Sequence, residues 1–129
     1  MERIEAISTD SAPKPAGHYS QATAWNDMVF VSGQLGVKPD GTHTADEPFE
    51  TQVRQALANV LAVVDSAGSG PDRILRVTAY VVGVENWGNF NTIFAEVFGN
   101  ARPARTVVPV TDLHHGYEIE IDAIAIRGR

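Results

Sequence analysis

Two residues near the end of this 129-residue chain are of types that can do chemistry at a useful spacing. Arg105 closes "PAR" just where the apolar run "TVVPV" begins, and Glu120 follows fifteen residues later inside "EIEID". Strands usually keep a charge at their ends or on their wet face. Counting in the two-residue period of a strand puts both residues on adjacent predicted strands, and a shared face is open to them. Two readings remain at this point. One is a cross-strand ion pair, which contributes only ~0.2–1 kcal/mol on an exposed face. The other is a site at a subunit boundary, with the guanidinium holding an anion and the carboxylate handling water or a proton.

His114 and His115 invite a metal reading, but neighbours on a strand point in opposite directions. No cysteine and no third histidine lie near them in the sequence. A loop or surface role is expected, and no metal site is predicted. Trp25 and Trp87 have no partnering motif and read as packing or interface residues.

Composition narrows the function classes. Ten Lys and Arg against sixteen Asp and Glu give a net charge of −6, and the basic residues are scattered singly. A nucleic-acid partner is therefore not expected, since phosphate neutralisation normally supplies most of such affinity. The excess of acid also gives anionic ligands no long-range attraction, so any anion site must be local. The chain has no cysteine, which removes disulfides and thiolate chemistry. No apolar run approaches the ~20 residues that cross a bilayer, and the acidic first residues lack the apolar stretch of a secretory signal. A cytoplasmic protein with no membrane partner is expected.

The elements that must position Arg105 and Glu120 are legible in outline. Residues 8–17 read as an irregular lead-in. "MVFVSGQ", 28–34, is a strand, with Tyr19–Trp25 available as the other arm of a hairpin. "VKPDGTH" is a turn. Residues 48–68 form the clearest helix: Phe49, Val53, Ala56, Leu57, Val60, Val64 and Ala67 keep helical spacing, and Gly68 suits a stop. A strand over 73–83, a helix over 86–99 and two final strands, "ARTVVPV" and "YEIEIDAIAIR", complete one domain over residues 1–129. The order β-β-α-β-α-β-β predicts an α+β fold, a mixed sheet with two helices on one face. On the last strand Ile119, Ile121, Ala123 and Ala125 point toward the helices. Glu118, Glu120, Asp122, Ile124 and Ile126 point the other way. Arg105, Val107 and Pro109 share one face of the strand before it, and Val108 and Val110 share the other. Two helices cover one sheet face only, so the apolar residues of the second face predict a homo-oligomer.

The ordered set "GHYSQA", "VFVSGQLGV", "TQVRQALANVLAVVDSAG", "NFNTIFAEVFG", "RPAR" and "EIEIDAIAI" resembles the RidA/YjgF (reactive-intermediate deaminase) family over nearly the whole chain. The resemblance implies a chorismate-mutase-like fold and a homotrimer with sites in the clefts between subunits. It also implies hydrolysis, without a cofactor, of 2-imino and enamine acids such as 2-aminoacrylate and 2-iminopropionate to 2-oxo acids and ammonia. Matched to the family motif, Arg105 is the arginine that binds the substrate carboxylate, and Glu120 the residue that positions and deprotonates water. Tyr19 matches the tyrosine that closes the cleft, against the alternative of an interface aromatic. Ser32 and Asn91 fall at cleft-lining positions, and could equally be a strand-end hydroxyl and a helix-surface amide. Gly33 permits close backbone approach or a bulge. His18 stands where a proline commonly precedes the tyrosine. Thr106-Val107 replaces a small-hydroxyl and cysteine pair, with Val107 making the pocket more apolar, and Glu118 adds a nearby acid. Two further functions stay in view: a pathway-specific deaminase of an aminoacrylate or aminomuconate, and a non-catalytic ligand-binding or chaperone-like trimer. Relatives have also been labelled endoribonucleases, a reading the charge balance disfavours.

Overall fold

Helix α1, Phe49–Ser66, is built on the apolar stripe that its sequence promised. Val53, Ala56, Leu57, Val60, Val63 and Val64 are all buried along it, and each large aliphatic chain so covered contributes roughly 1.5–3 kcal/mol. Gly68 ends the helix at φ +87°. There its N–H bonds the carbonyl of Asp65 and the Ser69 N–H bonds that of Val64, the paired closure that a left-handed glycine allows. Helix α2, Trp87–Phe98, buries Phe90, Ile93, Phe94 and Phe98.

The computed structural model describes residues 3–128. Its strands are β1 (Glu5–Ile7), β2 (Ala22–Trp25), β3 (Met28–Gln34), β4 (Ile74–Val82), β5 (Ala104–Val110) and β6 (Ile119–Ile126). They form one mixed sheet in the order β1-β2-β3-β6-β4-β5, parallel only between β4 and β5. The two helices back one face, giving the expected α+β architecture. Strand β1 was not foreseen: three residues are too few to show an alternation, and pairing with β2 alone makes them a strand.

The order of the sheet also corrects the relation expected between Arg105 and Glu120. The β4–α2–β5 segment is a crossover unit, which lays β5 parallel to β4 at the sheet edge. Strand β6 then inserts between β3 and β4. The strands carrying Arg105 and Glu120 are therefore not adjacent. Nor do the residues share a face. Arg105 is in register with Val77, whose side chain is fully buried under the helices. Glu120 is in register with Tyr80 on the opposite face, while Ile119 and Ile121 beside it are buried. That second face also carries Trp25 and Phe30, 46% and 44% exposed, with Ile124 and Ile126 half-buried.

Candidate functional site

Arg105 is held from one face of α2. Trp87, Phe90, Asn91 and Phe94 recur at helical spacing, so one stripe faces the sheet edge. The Arg105 guanidinium carbon lies 4.9 Å from the ring centre of Phe94, 5.6 Å from Phe90 and 5.7 Å from Trp87. All three are within the range of cation–π attraction. Its Nη1 donates to Asn91 Oδ1 at 2.9 Å. Asn91, Phe94, Pro103 and Arg105 border a shallow cavity of about 510 Å³ at this edge. Val107, two residues on and on the same face, packs half-buried against the core and borders neither this cavity nor the larger one below.

Glu120 belongs to a different cavity, of about 1040 Å³, which it shares with Tyr19, Gly33, His43, His114 and His115. Burial, and then the neighbouring Asp122, raise its pKa, with His114 acting the other way. Asp122 is itself raised by burial and accepts a 3.2 Å hydrogen bond from the Tyr80 hydroxyl. Close approach of β3 makes room for the carboxylate. A Cβ on Gly33 would stand 2.7 Å from Glu120 Oε2, so any larger residue here would push the carboxylate out of its present position. The β3–β6 pairing shifts register between Val31 and Gln34, across Ser32-Gly33. Ser32 Oγ donates to the Ser20 carbonyl at 2.7 Å, and its N–H bonds the Gln21 carbonyl. The hydroxyl thus ties β3 to the segment bearing Tyr19. Tyr19 is half exposed at the cavity rim, and its hydroxyl accepts from the Ala16 N–H at 3.3 Å.

Buried amides hold the walls. Gln21, with its Nε2 donating to the carbonyls of Thr9, Ala12 and Pro13, pins the lead-in that forms one side. Asn59 on α1 donates to the carbonyls of Leu35 and Val37. Gln52 donates to those of Ala45 and Glu47 and accepts from the Glu118 N–H, fixing the start of β6. Sequence reading passed over these amides because their partners lie in loops. It also missed His43, whose ring centre lies 4.9 Å from that of His115. A third histidine therefore does approach the pair. Among the described residues, however, no group of His, Cys, Asp or Glu has an arrangement that could hold a metal. His114 and His115 sit in a 3₁₀ turn, with His115 at φ +59°.

One chain thus brings Tyr19, Ser32, Gly33 and Glu120 together on one side and Arg105 and Asn91 on another, and does not join the two groups. Such a molecule is a small α+β domain with an acid in a groove and an anchored cation at a sheet edge. The chain belongs to the RidA/YjgF family: residues 9–127 match the family described as endoribonuclease L-PSP. It is 36% identical over 123 residues to a RutC family protein of Pyrococcus horikoshii, covering 95% of this chain and 98% of that one. It is 32% identical over 124 residues to the 2-iminobutanoate/2-iminopropanoate deaminase of Rattus norvegicus, covering 96% and 90%. The crystal structure of Escherichia coli TdcF with bound serine superimposes with a TM-score of 0.89 at 31% identity, over 96% of this chain and 99% of that one. No helix among the described residues is long and apolar enough to cross a membrane.

Proposed function

We propose that the chain hydrolyses reactive 2-imino acids, of the 2-iminopropionate type, to 2-oxo acids and ammonia in a homotrimer. The observation that carries this reading is the separation of Arg105 from Glu120 onto opposite sheet faces of one chain. A substrate touched by both must lie between two copies. The exposed Trp25 and Phe30 on the Glu120 face offer the apolar area such an assembly would cover.

In this scheme the substrate carboxylate sits on Arg105, whose planar fork suits it bidentately. Asn91 occupies one N–H and fixes the fork's plane. Glu120 of the neighbouring copy takes a proton from water as the oxygen adds to C2 of the imine. It returns that proton to nitrogen, then takes the second proton from the C2 hydroxyl and passes it to nitrogen as well, so the carbonyl forms as the C–N bond breaks and ammonia leaves. A carboxyl whose pKa is raised serves both steps better than an ordinary one, because it accepts and releases a proton at smaller cost. The imine carbon is already electrophilic, so orientation and one acid/base group suffice without a cofactor. The deaminase relative from rat acts on this class by name, and the serine bound by TdcF is an α-amino carboxylate of the kind Arg105 would hold.

The test is to generate 2-iminopropionate in situ with an amino-acid oxidase and follow its decay under a trapping agent. Acceleration by the parent protein and not by Arg105→Ala supports the reading. No acceleration across a panel of 2-imino acids would leave a ligand-binding trimer.

A further inference from the structure

The groove beside Glu120 is much larger than a three-carbon acid needs. At about 1040 Å³ it stands at the top of the range for pockets that take drug-sized ligands. Part of its wall is aromatic. The rings of His43 and His115 lie 4.9 Å apart, and His115 meets His114 edge-on at 4.2 Å.

The His43 ring is held in place by a buried group. The Thr44 N–H donates to the Tyr117 hydroxyl at 3.0 Å, and the same hydroxyl is hydrogen-bonded to His43 Nδ1 at 2.8 Å. Tyr117 is 1% exposed and Thr44 is anchored to the Gly36 carbonyl. The bond fixes the His43 ring in the groove wall. Desolvation lowers the pKa of His115, as do the nearby His114 and His43. The charges at this end, Lys14 and Asp40, are opposite in sign. Asp40 stays ionised because the Thr42 N–H donates to it. The wall therefore presents flat imidazole rings to the groove.

We propose that the His43–His115 wall is a side-chain subsite that selects aromatic 2-imino acids, with the ring of the substrate packed against the two imidazoles. The proposal rests on the deaminase reading for the reacting end of the substrate, while the subsite itself is a binding claim that can be tested without turnover. A carboxylate on Arg105 and C2 beside Glu120 would direct the side chain along the groove, away from the sheet edge. Aromatic pairs at ring separations of about 4.5–7 Å contribute attraction beyond area burial, and the two imidazoles lining the groove would offer a substrate ring that contact.

The test compares two 2-oxo acids, phenylpyruvate and pyruvate, as ligands of the intact protein by titration calorimetry, with the imidazole resonances followed by NMR. Phenylpyruvate should bind at least about tenfold more tightly and shift the His43 and His115 ring signals. The variant His115→Asn keeps a residue that tolerates positive φ while removing the ring. It should lower the phenylpyruvate-to-pyruvate affinity ratio by about three- to tenfold. Equal affinities, or a ratio unmoved by His115→Asn, would overturn the subsite whatever the turnover shows. With imines generated from phenylalanine and alanine, the same variant should lower the ratio of kcat/KM values to a similar extent. Turnover of the alanine-derived imine alone would overturn the subsite and leave the deaminase standing. Selective phenylpyruvate binding without any turnover would keep the subsite and remove the deaminase.

Discussion

The Arg105 edge and the Glu120 groove answer opposite electrostatic problems. At the edge, a permanent charge is stabilised by three ring faces and one amide oxygen, all from a single helix. In the groove, a carboxylate is crowded by a glycine backbone and a second acid, and burial works against its charge. In the proposed reaction the first arrangement would keep an ion ready to bind, and the second would keep a proton exchangeable. Each half is built from elements close in the fold to its own charged residue, and the two residues lie on non-adjacent strands and opposite faces of the sheet.

The sharpest way to break this comparison is to disable each half separately and then mix the products. Arg105→Ala should lower kcat/KM by about 30-fold or more, since losing a buried charge-assisted contact costs ~2–5 kcal/mol. Glu120→Gln should cost a similar factor, about 10²-fold, mostly in kcat. Co-assembled in equal amounts, the two inactive variants should recover about a quarter of parental activity, because half of all groove halves meet half of all edge halves at random. No recovery in verified mixed oligomers would mean that the two residues do not serve one site across copies.

Gly33→Ala should reduce kcat about tenfold while leaving thermal unfolding nearly unchanged. The new methyl would collide with Glu120 Oε2, the free end of a side chain that can turn aside, and misplacement of a reacting group by about 1 Å costs up to 10²-fold. A drop in Tm with unchanged kcat would make Gly33 a folding residue only. On the other half, Trp87→Leu removes the most exposed of the three rings around Arg105. It should raise KM about two- to fivefold with little change in kcat, matching the ~0.5–1 kcal/mol of an exposed cation–π contact.

The smallest effect is in stability against pH. The folded state holds the Glu120 pKa above its ordinary value. The stability tied to its protonated form is complete below the unfolded value and is lost as pH rises through the folded one. Glu120→Gln cannot ionise, so its Tm should slightly exceed that of the parent protein at neutral pH, with the difference shrinking in acid. In the parent protein, kcat should fall with acidity at a pH above the usual glutamate range, because the base must be ionised. An acidic limb at the ordinary glutamate value would contradict the groove's effect on Glu120.

The sequence by itself determined the elements and the residue types. The stripe from Val53 to Val64, the stop at Gly68 and the alternation in "EIEIDAIAI" are local patterns, and local sterics and periodicity suffice to read them. Ordered motifs named the family and singled out Arg105 and Glu120. Only the tertiary structure decided their sides. Strand order depends on where a crossover helix can pack, so β6 entered between β3 and β4 and put the pair out of reach of each other. The same long-range packing made a strand of Glu5–Ile7, carried His43 to Tyr117 across 74 residues, and turned three buried amides into the fixings of a groove. Spacing along the chain is blind to such contacts, because a loop's partner is fixed by which surfaces remain to be covered once the core has formed.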